Sequence, residues 1–249
     1  GGGALVDMQG AVPGGYARTK ESTGVRGTKI EGRDAYEVRR HESVALTSTG
    51  TVSAIRAAGL GIDDVTDCFV YDNPSDETIQ YGTTNYELAP HSVYVGVVGG
   101  DDDTIAQTIW TKKDIGCDMN GNTTVTVYDD SALVTPYPEY QITFNRPTPT
   151  EILFAVTIQQ NTQLPSDVIA QIQAAIMAAF NGQVDGFARP RIGGAIYASS
   201  YYSIVSAVSS QINILSIQIG ISEANQNAVT MGIDQVPVIQ QSGIQVTIS

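Results

Sequence analysis

Apolar residues along this chain repeat with two different spacings, and the switches between them mark out its elements. From Arg33 the spacing predicts a helix: Asp34 can cap GRDAYEVRRHESVALT, and opposite charges alternate along its exposed side. Gly50 breaks this helix, and Thr49 or Thr51 starts a second, TVSAIRAAGLG, with Val52, Ile55 and Ala58 on one side. VTDCFVYDN (65–73) reads as the first strand, and the polar stretch 73–91 as a long loop of the kind that serves function or touches a partner. HSVYVGVVGG (91–100) is apolar on both sides, as a central strand is. Asp101, Asp102 and Asp103 then stand at a helix amino terminus, where the helix dipole and free amide donors favour acids. Ile105, Ala106, Ile109 and Trp110 give that helix its apolar face, Lys112 and Lys113 fall in its last turn, and Gly116 ends it. Asn120-Gly121 marks a turn before the strand TTVTVYDD, and YQITFNRP (140–147) is a further strand beyond a Pro-containing turn.

PTPT (147–150) separates these elements from a second set. EILFAVTIQQ predicts a strand, and PSDVIAQIQAAIMAAFNG (165–182) a helix with Pro165 in its first turn and Gly182 at its end. Val168, Ile169, Ile172, Ala175, Ile176, Ala179 and Phe180 form its apolar stripe. After the loop FARPRIGG come a helix at 197–210, the strand INILSIQIGI, and two closing strands around Pro237 and Gly243. Residues 1–32 are Gly-rich and charged; apart from a possible short strand ALVDM they read as an arm that could not build a core alone. The expected architecture is α+β: two small α/β sandwich units, ferredoxin-like, with mostly antiparallel sheets, preceded by an N-terminal arm and a helix pair. The divisions are an arm at 1–32, a central domain at 33–147 and a C-terminal α/β domain at 148–249.

Charge narrows the function classes. Only 16% of the 249 residues are charged, against about 25% in typical chains. The net charge of −13 argues against gripping nucleic acid, which needs clustered Lys and Arg. Eight of the thirteen cations lie in the first 56 residues: Arg18, Lys20, Arg26, Lys29, Arg33, Arg39, Arg40 and Arg56. That segment is either a solvated helical face or a docking surface for an acidic partner or the acidic body of a neighbouring copy. Cys68 and Cys117 are too few for a disulfide framework, and we expect two reduced, partly buried thiols in a cytosol-assembled protein. No stretch approaches the ~18 apolar residues of a membrane span, and no signal-peptide pattern is present. The chain begins at Gly1 rather than Met, so a missing or processed amino-terminal part is expected.

Candidate chemistry is sparse. Asp101, Asp102 and Asp103 could ligate a hard cation, but consecutive residues rarely converge on one ion, and helix capping is the stronger reading. His41 and His91, the only histidines, form no zinc-binding pattern, and His91 is expected to satisfy a strand-edge hydrogen bond. The glycines at 59–61, 97–100 and 192–194 match no nucleotide-binding loop, and no GxSxG is present. Arg189 and Arg191 flank Pro190 in a loop that is either plain surface or an inter-subunit salt-bridge contact. Tyr197, Tyr201 and Tyr202 fit interface or core packing better than base stacking. We therefore expect no catalytic, cofactor-binding or metal-binding residue, and no enzymatic activity.

Several phrases, in order, resemble the baseplate J-like family, the wedge proteins of contractile phage tails. They are GRDAYEVRRHESVAL, TGTVSAIRAAGLGIDDVTDCFVYDN, PHSVYVGVVGGDDDTIAQTIW, GNTTVTV, FNRPTPTEILFAVTI and the late GIDQVP, together covering about 33–249. The resemblance implies a virion protein, assembled in the bacterial host cytoplasm, that sits in the tail baseplate and forms an inner ring around the hub. It would help trigger sheath contraction. The implied partners are other copies of the chain, gp25-like and tail protein I-like wedge proteins, and the tail hub or sheath initiator, with no nucleic acid and no membrane. The family pattern has no catalytic residues to carry over. Residues 1–32 depart from it. Related alternatives are a wedge protein of a pyocin-like particle or another contractile injection system. An alternative from another class is a carbohydrate- or small-ligand-binding α+β module, motivated by Tyr71, Tyr81, Asn85 and Tyr86 around the polar loop.

Overall fold

A computed structural model describes residues 48–249 apart from Val134, and of the preceding segment Arg33 alone, in helical backbone. The chain divides into two compact units, 1–40 and 41–249, and the architecture below is that of the second. The expected arm at 1–32, the ALVDM strand and the helix capped by Asp34 lie outside the described residues.

The protein is α+β. Thr51 starts the first described helix, α1 (Val52–Leu60), and its hydroxyl accepts from the Ala54 amide at 3.1 Å. The buried face of α1 is Ala54, Ile55 and Ala57; Val52 and Ala58 lie at its margin, so the face is rotated from the expected one. Next come β1 (Val65–Asn73), β2 (Ile79–Tyr81), β3 (Tyr86–Leu88) and β4 (Ser92–Gly99). The supposed loop at 73–91 thus contains an antiparallel β2–β3 hairpin. Its strands are three residues each, too short for a periodic signal. α2 (Asp102–Lys112) follows, then β5 (Asp118–Asn120), β6 (Thr123–Tyr128) and β7 (Glu139–Phe144). β4 is central in the order β1–β4–β5, antiparallel to β1 and parallel to β5. β6 and β7 form a separate hairpin against which α2 packs.

PTPT is itself structural: β8 (Thr148–Glu151) pairs in parallel with β13 (Gln235–Val238). A two-stranded ribbon tolerates proline because it leaves one edge of each strand free of ladder bonds. β9 (Leu153–Ile158) is the centre of a three-stranded sheet ordered β11–β9–β14, with β11 (Ile214–Gly220) antiparallel and β14 (Ile244–Ile248) parallel to it. α3 (Val168–Phe180) starts three residues after Pro165, which lies outside its first turn. Five members of the expected stripe are buried, but Ile169 is exposed. The expected helix at 197–210 is shorter: β10 (Ala195–Tyr197) and a 3-10 turn (Ala198–Tyr201) precede α4 (Tyr202–Val208). β12 (Ala228–Thr230) pairs with β10, so the tail holds three strands rather than two. Among the described residues, five of the eight strand pairings are antiparallel. The pairing does not establish the ferredoxin-like order expected of each half.

Two hydrophobic clusters lie within the 41–249 unit, one built from Ile55 to Phe144 and one from Ile152 to Ile244. A third, small cluster of Leu88, Tyr94 and Ile233, with Phe69, Tyr71, Ile79, Tyr81 and Tyr86 against it, joins residues from both sides of PTPT. This explains why β4 is apolar throughout. Val93, Val95 and Val97 face the first cluster, while Tyr94 faces the third. Tyr94 is fully buried and donates its hydroxyl to the Ile233 carbonyl at 2.6 Å.

Candidate functional site

The seam between the halves is built around Asp67. Strand alternation puts Cys68 and Val70 into the first cluster and turns Asp67, Phe69 and Tyr71 the other way. A register shift between Val65 and Asp67 accompanies this, as a bulge that re-aims a side chain does. An acid in that position is costly to bury without donors. Asp67 is only 8% exposed and accepts three hydrogen bonds: from the Cys68 amide at 2.9 Å, the Ile192 amide at 2.7 Å and Arg191 Nε at 3.0 Å. Arg191 is therefore tied to Asp67 within its own chain. Its side chain remains 48% exposed, and its guanidinium makes no other hydrogen bond among the described residues.

Arg191 forms one side of a cleft of about 440 Å³ between the 186–194 loop and the segment from β10 through the 3-10 turn. Backbone bonds fix the loop: the Gly193 amide donates to the Gly232 carbonyl at 3.3 Å, and Met231 donates to Gly194 at 3.0 Å. Tyr201, 1% exposed, lies at the floor, edge-on to Phe154 at 4.8 Å and tilted against Phe187 at 5.0 Å. Burial pushes the Tyr201 phenol well above its ordinary range, so it stays neutral. Tyr197 stands at the rim, 54% exposed, with Ser200 and the exposed Arg189. Arg189 has no ion-pair partner among the described residues. The lining includes no carboxylate, histidine or cysteine. It offers guanidinium groups above an aromatic floor, which suits an anionic group carried on an apolar one.

The other singled-out residues lie elsewhere. Asp101 is the cap of α2, accepting from the Thr104 amide at 3.0 Å and its hydroxyl at 2.9 Å. These bonds hold its carboxyl below the usual range. Asp102 pairs with Arg146 instead, accepting from Nε at 3.0 Å. Arg146 also donates to the carbonyls of Val97, Gly99 and Gly100, and its guanidinium sits 5.2 Å from the Phe144 ring centre. Among the described residues no three His, Cys, Asp or Glu side chains are grouped to hold a metal ion. Trp110 packs against Tyr140, with ring centres 5.6 Å apart. His91 accepts the Asp118 amide of β5 on its backbone carbonyl at 3.1 Å, a strand-edge bond, while its exposed ring meets the Asp76 carboxylate at 2.7 Å; its φ is 49°. His41 lies outside the described residues. Cys68 and Cys117 are both free thiols, Cys68 fully buried rather than partly so. Tyr71 stacks on Tyr81 at 3.9 Å and Tyr86 packs edge-on to Tyr94 at 4.9 Å, so the rings proposed for glycan binding pack on one another. Tyr202 is exposed and accepts the Ile217 amide on its hydroxyl at 3.1 Å. The described helices include none long and apolar enough to cross a membrane.

Asp67 and Arg146 are the residues that pattern reading passed over. The available signal for Asp67 was an acid on the strand face shared with Phe69 and Tyr71. For Arg146 it was a lone arginine in a cation-poor half. No protein-family model and no curated protein matches the chain.

Proposed function

We propose that the chain is a structural component of the baseplate wedge of a contractile phage tail. In that role it meets further copies of itself, gp25-like and tail protein I-like wedge proteins, and the hub or sheath initiator. The observation that supports this most is what the charged residues of the quoted phrases do. In GGDDD, Asp101 caps α2, while the carbonyls of Gly99 and Gly100 and the Asp102 carboxylate are gathered by Arg146 of FNRP. These groups tie the turn after β4 to the segment after β7, as suits a part that carries load.

The mechanism is mechanical. Contacts between neighbouring subunits favour one ring geometry before receptor binding and another after it, and the difference in contacts between the two states sets the balance. A pyocin-like particle or another contractile injection system would use the part in the same way. Immunogold labelling of negatively stained tail particles with an antibody to this chain, paired with mass spectrometry of those particles, tests the proposal. Gold at the baseplate end is the expected result; complete particles without the chain would sink it.

A further inference from the structure

After Lys113 the chain has three arginines against ten acids. Arg146 is held by Asp102 and three carbonyls. The other two, Arg189 and Arg191, both line the cleft described above, with Phe187 and Tyr201 beneath and Tyr197 at its rim. Cations brought together in an acidic body, one of them without an ion-pair partner among the described residues, select an anionic occupant. The aromatic floor adds that the occupant carries apolar groups.

The same chain carries a surface of that chemistry. Among the described residues the strands β6 and β7 form a two-stranded sheet of their own, and no named strand flanks the far end of their hairpin. That end presents Tyr128, 54% exposed, Tyr137, 42% exposed, and a fully exposed Leu133. Between them lie Asp129, whose Oδ1 accepts the Ser131 amide at 3.1 Å, and the exposed Asp130. An acidic tip with bare apolar side chains matches a cationic cleft with an aromatic floor in both charge and apolar character.

We infer that the Arg189–Arg191 cleft of one copy receives the Tyr128–Leu133 tip of a second copy, with Asp130 meeting Arg189 and Leu133 covering the aromatic floor. Knob and socket are different surfaces, so the contact is heterologous. Each copy engages one neighbour by its tip and another by its cleft, and the chain of contacts closes into a ring where the rotation permits. This rests on the proposed role as an assembling part and adds which surfaces meet.

Sedimentation velocity on purified chain tests it with two variants, Arg189→Ser and the double change Asp130→Asn with Leu133→Ser. Wild type is expected to sediment as dimers and larger species that grow with concentration. Raising salt from about 0.05 to about 0.5 M should weaken the association, since both charges lie at a solvent-facing rim. Each variant alone should associate at least about tenfold more weakly. A one-to-one mixture should give dimers and nothing larger, because one intact tip still finds one intact cleft. Circular dichroism melts check folding, and Ala188→Glu, which adds an acid to the cleft without removing an arginine, stands in if Arg189→Ser fails to fold. Wild type that stays monomeric to about 200 μM overturns the inference. So do variants that associate like wild type. Those results leave the baseplate role standing if gold labels the particles. Absence of the chain from particles, with the variant pattern intact, would overturn the role and keep the contact.

Discussion

At the scale of single residues, Asp67, Asp101 and Arg146 act as internal fasteners. Asp67 satisfies two backbone amides and one guanidinium at a nearly closed site. Asp67→Ala strands those donors, and we expect a loss of about 2–4 kcal/mol in urea unfolding. Asp67→Asn keeps some acceptor capacity and should lose less; an unchanged midpoint for the alanine variant would contradict the account. Arg146→Lys keeps the charge but not the planar fork that reaches three carbonyls and a carboxylate, so it should cost about 1–2 kcal/mol by the same measurement. Burial pushes the Cys68 thiol up to about 12 from an ordinary 9.0. The folded protein therefore keeps a proton that the unfolded chain releases. Stability from this group is full below pH 9.0 and is lost as pH rises towards 12. Iodoacetamide at pH 8 should label Cys117 slowly, since burial also raises that thiol, and leave Cys68 unlabelled until urea is added.

At the scale of elements, exposure rather than periodicity decides which positions matter. The stripe of α3 contains both Ile169 and Ile172, but the first is 41% exposed and the second fully buried. Ile172→Ala should cost about 3 kcal/mol, in the range for a buried aliphatic truncation. Ile169→Ala should cost under about 1 kcal/mol, as most surface changes do. Thermal unfolding of the pair reads the contrast directly, and equal losses would show that the helix packs differently. Gly99 joins β4 to the cap of α2 at a φ of 79°, where an added Cβ would lie 2.1 Å from the Asp64 carbonyl oxygen. No L side chain fits there, so Gly99→Ala is expected to displace the turn that Arg146 grips and to lower the melting temperature.

At the scale of the whole molecule, the two clusters are joined through a seam with its own core. Tyr94→Phe keeps the ring contacts with Phe69 and Tyr86 and removes the hydroxyl bond to Ile233. It should cost about 1–2 kcal/mol, because the Ile233 carbonyl loses this partner in a dry site. Hydrogen exchange should rise on both sides of the seam, in β4 and around Ile233. A rise confined to one side would mean the halves open independently. Two strand segments that sequence patterns suggested were separators or loops, PTPT and 73–91, carry these long-range contacts. The β8–β13 ribbon and the Thr84–Asp234 bond each link residues more than eighty positions apart.

The sequence by itself determined the elements whose signals are local. The Asp101 cap, the β4 run and the α3 stripe each lie within one short window, where backbone donors, pleat and helical period act directly. The α+β class follows from their order. Only the tertiary structure decided which apolar face meets which. It showed that β2, β3 and β8 are strands despite being three or four residues long, because their stability comes from partners elsewhere in the chain rather than from their own residues. It also gave Arg191 a partner 124 positions away and left Arg189 beside it without an ion pair among the described residues. That distinction depends on where two distant loops come to rest, which no local pattern carries.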